Sequence, residues 1–368
     1  MAHRGTLGQR VATLLRRLVL VLALTTTPLF AASDAAANEK VRIGHTHWPA
    51  QGFFYLVQEL GWAPDIEFEF TIIDDPNQLF GLMSADKLEV VNSTVEMGPI
   101  TAAEKMPVKL LALTTVSYGV DMIILHPDIK SPQDLKGKKV AVLEGGLAQI
   151  YMATWLEQNG VKPEEVQFVN LIMEEATAAM ISGQIAGGEF WHPWARNVLR
   201  DLPGAQKVAD SVDPYWLKAA VLGDAMFMNA NFIAQKRDLA LRLMRLYYDA
   251  VQYWKEHPAG ANAIIAKALQ FSAEDVEIVL GKTGTLEDNK IYPYTLQESA
   301  AFCGSAPGQP PFNQDNGQIA AQWTMVNKWW TRLGYMKAEV PPENGIDCTI
   351  VGDLAKEGFK EDPKRYQK

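Results

Sequence analysis

The chain has 368 residues, of which 48% are hydrophobic and 21% are charged, so it is too long for one ordinary core and too apolar for a disordered protein. Its formal charge of −9 becomes −12 without residues 1–37, which hold four arginines and one aspartate. This acidic excess opposes nucleic-acid binding, which depends on neutralising phosphates.

The N-terminus has the pattern of a secretory signal peptide over residues 1–37. Four arginines precede an apolar stretch at 18–30 (LVLVLALTTTPLF), and Ala35–Ala37 supply a small-residue cleavage site. The apolar stretch is shorter than the roughly 20 residues that span a bilayer. We therefore expect cleavage near Ala37, export through the inner membrane to the periplasm, and no stable membrane insertion.

Strands and helices are predicted to alternate through the first two thirds of the chain. The first set has strands at 41–44, 66–73, 88–92 and 108–115, with helices at 53–60 and 76–85. The second set begins near Asp121 and has strands at 138–143, 166–171 and 187–191, with helices at 147–159 and 174–182. A strand at 225–228 then returns to the first set, and the rest is mainly helical, as in the segments after Asp238 and Ser272 and at 318–333.

This order predicts an α/β protein of two lobes, each a mostly parallel sheet flanked by helices. Residues 38–120 and 226–368 are expected to form the first lobe, and residues 121–225 the second, with two crossings between them. In such sheets ligands bind outside the carboxyl ends of the strands. The candidate ligand-binding residues at these ends and at the first crossing are His45, Thr46, His47, Trp48, Ser93, Thr94, Glu96, Tyr118, Gly146, Leu147, Glu189, Trp191, His192 and Trp194.

The aromatic and acidic residues at 189–194 suggest one kind of ligand. Trp191 and Trp194 offer stacking faces beside Glu189, which suits an ammonium group or a flat ring. The alternative for these tryptophans is core packing. Gly146 and Leu147 are predicted to begin a helix whose backbone N–H groups attract an anion or a carbonyl oxygen, or else to form only a tight turn.

Two histidines raise a second possibility, a metal site. His45 and His47 are two residues apart and would share a face if the strand continued, so they could ligate zinc with Glu96 or His192. The alternative is that they form hydrogen bonds at the rim of a cleft. Ser93 and Thr94 are compatible with ligand contact and with helix capping.

The two cysteines, Cys303 and Cys348, are expected to form a disulfide because an exported protein meets an oxidising compartment. The Gly-, Pro- and Asn-rich segment between them would gain stability from such a bridge. The alternative is a pair of buried free thiols.

Several segments resemble the periplasmic substrate-binding proteins of ABC importers, in the nitrate/sulfonate/taurine/thiamine-precursor (NMT1-like) group. They are SPQDLKGKKVAV at 131–142, the Gly-Gly pair after it, AAMISGQIAGGEFWHPW at 178–194 and YWKEHPAGANAIIAK at 253–267. The resemblance covers roughly residues 40–335. One departure is that Leu147, Ala148 and Gln149 stand where anion-binding members often place Ser or Thr.

The resemblance implies a two-lobed (type II) periplasmic binding protein with two hinge crossings. It would act as a monomer without a cofactor and deliver a small molecule to an ABC permease. The residues at the strand ends suit a taurine-like zwitterion or an amino-heterocycle such as a thiamine pyrimidine precursor better than nitrate. A zinc transport protein is one alternative. A pyrimidine-forming enzyme of the same fold is another, although the cysteine-rich motif of such enzymes is missing.

Overall fold

The computed structural model describes residues 38–366, which form two mixed β-sheets with helices packed on their faces. The signal peptide predicted at residues 1–37 lies outside the described residues. The first sheet has the order β11-β4-β10-β3-β1-β2. Its strands are β1 (Glu39–His45), β2 (Ile66–Ile72), β3 (Val90–Thr94), β4 (Val108–Ser117), β10 (Gly223–Asn229) and β11 (Ile291–Pro293).

The second sheet has the order β7-β6-β8-β5-β9. Its strands are β5 (Asp121–Leu125), β6 (Lys139–Val142), β7 (Gln167–Asn170), β8 (Gly187–Trp191) and β9 (Gln206–Asp210). The strand predicted at 187–191 is observed with the same bounds. Strands β9 and β11 were not predicted, because β9 (QKVAD) is polar and lies at a sheet edge and β11 has only three residues.

The helices cover the faces of both sheets. They are α1 (Phe53–Glu59), α2 (Pro76–Ser84), α3 (Met97–Ala103), α4 (Leu147–Gln158), α5 (Met173–Ile181), α6 (Trp194–Asp201), α7 (Pro214–Ala219), α8 (Ala230–Gln235), α9 (Arg237–Glu256), α10 (Pro258–Leu269), α11 (Ala273–Leu280), α12 (Leu296–Phe302), α13 (Ile319–Arg332) and α14 (Thr349–Lys356). None of the helices in residues 38–366 is long and apolar enough to cross a membrane.

Strand direction is mixed in both sheets, which corrects the expectation of mostly parallel sheets. The parallel pairs are β1 with β2 and β3, and β6 with β7 and β8. The strands β4, β5, β9, β10 and β11 pair antiparallel with their neighbours. The parallel direction holds where a helix connects successive strands, as the alternating pattern predicts. The parallel direction is lost at the strands through which the chain enters and leaves each sheet.

Two segments connect the two sheets, and they lie next to each other. The first runs from Ser117, at the end of β4, to Asp121, at the start of β5, and the second returns through Leu222 to β10. The Ser117 backbone N–H donates to the Leu222 carbonyl oxygen at 2.7 Å, and the Gly119 N–H donates to the Ser211 hydroxyl oxygen at 2.8 Å. Gly119 has φ +97°, a conformation that residues with a Cβ rarely adopt. The two crossings are therefore joined to each other by hydrogen bonds.

Helix α13 does not stay with the first sheet, although residues 226–368 were assigned there. Val326, Trp329 and Trp330 pack in the apolar core that α4 forms against the second sheet. The Trp330 indole also donates to the backbone oxygen of Glu96, beyond the end of β3, at 2.9 Å. Helix α13 therefore contacts both sheets, which the amphipathic pattern of this helix alone could not reveal.

The predicted disulfide is present. Cys303 lies just after α12 and Cys348 just before α14, with Cα atoms 5.9 Å apart. The bridge closes the long segment that contains α13. It therefore ties both ends of that segment to helices that pack against the first sheet.

Candidate functional site

Asp224, at the start of β10, organises the end of the first sheet. Its Oδ1 accepts a hydrogen bond from the Gln51 side-chain amide at 2.8 Å. Its Oδ2 accepts from the Trp48 indole at 3.1 Å and from the Thr115 hydroxyl at 2.7 Å. Burial raises the pKa of Asp224, while these three donors act in the opposite direction. Trp48 is therefore fixed by a carboxylate far away in the sequence.

The two predicted metal-ligating histidines have separate environments. His45 is fully buried, its Nδ1–H donates to the Thr46 carbonyl oxygen at 2.8 Å, and its Nε2 accepts from the Tyr55 hydroxyl at 2.9 Å. Burial lowers the pKa of His45 to about 4, so the ring is neutral at physiological pH. His47 is exposed, and its Nδ1 lies 3.0 Å from Asp74.

The structure therefore does not bring His45 and His47 together as ligands. Strand β1 ends at His45, so the alternation that would put both rings on one face does not continue. Both nitrogens of His45 already have partners. Within residues 38–366, no group of three His, Cys, Asp or Glu side chains is placed to hold a metal ion.

Glu96 lies between the two sheets. The Thr94 hydroxyl donates to Glu96 Oε1 at 2.6 Å, whereas Oε2 is buried and has no hydrogen-bonding partner among the described residues. Burial raises the pKa of Glu96 to about 7, while the backbone N–H of Leu147, at the N-terminus of α4, favours the ionised form. Glu96, Thr94 and Leu147, three predicted site residues, therefore lie close together. Ser93 is also buried, and its hydroxyl has no partner among the described residues.

Two more carboxylates lie on the second sheet. Asp121 pairs with Trp191 and Ile123 pairs with Glu189 in the β5–β8 ladder, so all four side chains share one face. Glu189 is fully buried, and neither carboxylate oxygen has a partner that satisfies hydrogen-bond geometry within residues 38–366. Burial, and then the neighbouring Asp121 charge, raise the pKa of Glu189 well above its ordinary value. Burial raises the pKa of Asp121 to about 6.

Tyr151, on α4, faces these two carboxylates. It is fully buried, and its hydroxyl has no hydrogen-bonding partner in the part of the chain that the structure describes. Burial raises the pKa of Tyr151, and the charges of Asp121 and Glu189 act in the same direction. The sequence pattern predicts a helix at 147–159 and gives Tyr151 no role in the site.

The tryptophans of the WHPW segment lie beside this cluster. The rings of Trp191 and Trp194 meet edge to face, 5.9 Å apart. Trp191 is half-buried and packs against apolar cores of both sheets, whereas Trp194 packs on the second. Burial lowers the pKa of His192 to about 4, and its Nδ1 has no partner among residues 38–366. Of the predicted aromatics at 191–194, Trp191 therefore contacts both walls of the candidate site.

Tyr118, another predicted site residue, lies outside the cluster of buried carboxylates. Its ring stacks on Phe312 with centroids 5.8 Å apart, in the apolar core on the other face of the first sheet. Sequence analysis had expected it at the site because it lies in the crossing segment. Conversely, Gln51, Thr115 and Tyr151 belong to the buried polar network but were not candidates, since no local signal distinguishes them from packing residues.

A separate groove of about 360 Å³ lies between the first turn of α4, strand β7 and the C-terminal end of α13. It is open to solvent, and its cationic residue, Arg332, is paired with Glu157 and Glu164. We place the candidate site at the buried carboxylates instead, because they lie at strand ends and carry unsatisfied polar atoms. The residues that line the groove are Glu144, Gln149, Pro163, Glu164, Val166, Phe168, Arg332, Leu333 and Tyr335.

Comparison with known proteins identifies the family. Residues 48–261 match the family model described as NMT1/THI5 like. A protein named as a binding protein in Brucella abortus (strain 2308) is 25% identical over 182 residues, which are 49% of this chain and 56% of that protein. The taurine-binding periplasmic protein of Escherichia coli (strain K12) is 26% identical over 102 residues, 28% of this chain and 32% of that protein. The matches thus span only about half, or a third, of these relatives.

Solved structures show the same fold. The periplasmic aliphatic sulphonate binding protein SsuA from Escherichia coli has a TM-score of 0.64 and 16% identity, over 84% of this chain and 92% of that one. The periplasmic nitrate-binding protein NrtA from Synechocystis PCC 6803 has a TM-score of 0.62 and 14% identity, over 86% and 87%. Because the family model matches more than half of the sequence, this chain belongs to the NMT1/THI5-like family, and it has the fold of periplasmic binding proteins.

Proposed function

We propose that this protein is the solute-binding component of an ABC import system. It captures a small polar organic solute between its two sheets and delivers it to a permease in the inner membrane. The observation that carries this proposal is that each sheet contributes a buried acid with an unpaired carboxylate oxygen among the described residues, Glu96 from the first and Glu189 from the second, while Trp191 packs on the cores of both sheets. Buried polar groups without partners are uncommon and suit a site whose partner is a ligand.

The proposed mechanism is closure of the two sheets around the solute. The two adjacent crossing segments allow a hinge motion, and a ligand that contacts both sheets favours the closed arrangement by its differential affinity. The protein would act as a monomer that meets its permease only transiently. The fold shared with periplasmic binding proteins supports a periplasmic location. The basic and apolar pattern of residues 1–37 supports their removal.

The candidate solutes are a taurine-like zwitterion and an amino-heterocycle such as a thiamine pyrimidine precursor. Trp191 offers a stacking face, and the carboxylates accept hydrogen bonds from amino groups. The names of the relatives include taurine, sulphonate and nitrate, which agrees with a small polar solute. A binding role is favoured over an enzyme, since the relatives named above are binding proteins.

Ligand-induced closure provides the test. A true ligand raises the melting temperature progressively with concentration and reduces the radius of gyration measured by X-ray scattering. The panel comprises taurine, an aliphatic sulphonate, an aminopyrimidine, nitrate and zinc chloride. A melting shift with zinc alone that His45→Ala abolishes would support the metal alternative. Turnover of a panel compound by the purified protein would contradict a pure binding role.

Export is tested separately. N-terminal sequencing of the protein from the periplasmic fraction should give a mature chain that begins close to Ala37. Recovery of the protein in the cytoplasm with Met1 still present would contradict the proposed location.

A further inference from the structure

The buried side chains of the candidate site that are charged in water at neutral pH are all acidic. Glu96, Asp121, Glu189 and Asp224 are all buried, and none of the Lys or Arg side chains in residues 38–366 is buried. Their charges interact, since Asp224 acts on both Glu96 and Asp121, and Asp121 acts on Glu189. Burying one carboxylate is costly unless it is paired, and like charges nearby add to the cost. The described part of the chain therefore gives this cluster no buried positive partner.

Unsatisfied hydrogen-bonding capacity points the same way, independently of charge. Among the described residues, Glu189 presents two fully buried oxygens that no N–H group or hydroxyl reaches, its side-chain interaction being with another acid, Asp121, and Tyr151 presents a fully buried hydroxyl without a partner. They belong to different elements, β8 and α4, and face each other electrostatically. An ionised carboxylate only accepts hydrogen bonds, so a partner that binds the ionised form of Glu189 must supply N–H or O–H donors. A sulfonate or nitrate group offers only acceptors.

The helix N-terminus that could bind an anion already has a carboxylate of this chain beside it. The N-terminus of α4 at Leu147 presents backbone N–H groups and the positive end of the helix dipole. The Glu96 carboxylate lies beside this terminus. A second anion there would meet a buried carboxylate, which would repel it.

We propose that the bound solute is an organic cation, such as an amine, amidine or guanidine, whose positive N–H groups lie between Glu189, Asp121 and Glu96. This inference rests on the proposed binding role, keeps its small polar organic solute, and replaces the taurine-like zwitterion by a cation. Trp191 shares the face of Asp121 and Glu189, so its ring can stack on such a group. Within residues 38–366 the carboxylates are spread over both sheets and do not converge on one point as a metal requires. A cation with several N–H donors could contact more than one of these carboxylates.

Fractionated nutrient extract supplies a test that does not require the solute to be identified first. Yeast extract is separated at pH 7 by strong cation exchange and strong anion exchange into cationic, anionic and uncharged or zwitterionic fractions. Each fraction is added to the full mature protein in a thermal-shift assay. We expect the cationic fraction to raise the melting temperature and the other two to leave it unchanged. Mass spectrometry of the retained molecule then identifies the cation.

The outcomes separate this inference from the proposed function. A shift with the anionic or zwitterionic fraction alone would overturn the cation proposal and leave the binding role intact. The absence of a shift with every fraction would count against the binding role and therefore against both.

Matched variants locate the site. Glu189→Gln and Asp121→Asn keep side-chain shape and remove a charge, whereas Glu174→Gln removes an exposed charge on α5 as a control. Calorimetry with the identified cation should show at least tenfold weaker affinity for the first two variants and no change for the control. Far-UV circular dichroism confirms folding in each case. Equal affinity in all three variants would show that the cation binds elsewhere.

Discussion

Replacing Glu189 should stabilise the ligand-free protein, and the gain should grow with pH. Glu189 is fully buried, and its pKa lies well above the ordinary value of 4.5. The folded state therefore binds a proton that the unfolded state releases above pH 4.5, so this group lowers stability as the pH rises. Each pH unit costs about 1.4 kcal/mol, as long as the pKa in the folded state exceeds the pH.

The expected magnitude follows from this slope. Holding the proton costs about 1.4 kcal/mol for each pH unit above 4.5, up to the pKa of Glu189 in the folded state. Glu189→Gln removes this cost but leaves a buried amide without partners, which costs about 1–3 kcal/mol. The net gain should therefore increase from pH 5.5 to pH 8, by no more than about 1.4 kcal/mol per pH unit. Glu189→Met, which leaves no polar atom unpaired, should gain more.

Urea unfolding at the two pH values measures these differences. Glu174→Gln, an exposed substitution on α5, should change stability by no more than about 0.5 kcal/mol at either pH. If Glu189→Gln and Glu189→Met destabilise the protein equally at pH 5.5 and pH 8, Glu189 is a satisfied structural residue and the reasoning is wrong. The combination of higher stability and lost ligand affinity would show that the carboxylate is retained for binding.

Three further outcomes are expected. Replacing Cys303 and Cys348 together by Ser should lower the free energy of unfolding by about 3–4 kcal/mol, measured by urea unfolding against the oxidised protein; an unchanged midpoint would contradict a structural role. Trp191→Ala should weaken ligand affinity at least tenfold, about 1.4 kcal/mol, and leave the unliganded fold intact. Trp194→Ala should weaken the affinity less, because Trp194 packs on the second sheet. If calorimetry finds the same affinity for both variants as for the parent protein, these rings serve packing. Between pH 6.5 and pH 8 Glu96, whose pKa is raised to about 7, should lower the stability of the ligand-free protein by roughly 1 kcal/mol, because its extra proton in the folded state is given up in this window. His45 and His192 act in the opposite direction, because burial lowers their pKa to about 4 while the unfolded rings are still partly protonated at pH 6.5. Urea unfolding of Glu96→Gln beside the parent protein isolates the Glu96 contribution, and an identical pH dependence in the two proteins would contradict the assignment.

The sequence by itself determined the local elements and the positions where a site could form. Strand β8 and helix α4 follow from apolar periodicity and glycine signals, and they begin where the pattern predicts. The strand ends also directed attention to Trp48, Glu96 and Glu189. Local propensity was sufficient for these features because each depends on residues within a few positions of one another.

Only the tertiary structure decided how these positions combine. Asp224 meets Gln51 and Trp48 across 173 and 176 residues, and Glu96 meets Leu147 at the N-terminus of α4 from the opposite sheet. Whether a carboxylate is paired, solvated or buried without a partner depends on such distant neighbours, and so do its pKa and the charge of the ligand that it suits. The zinc-binding alternative for His45 and His47 also depended on distant neighbours, because hydrogen bonds within the fold occupy both nitrogens of His45.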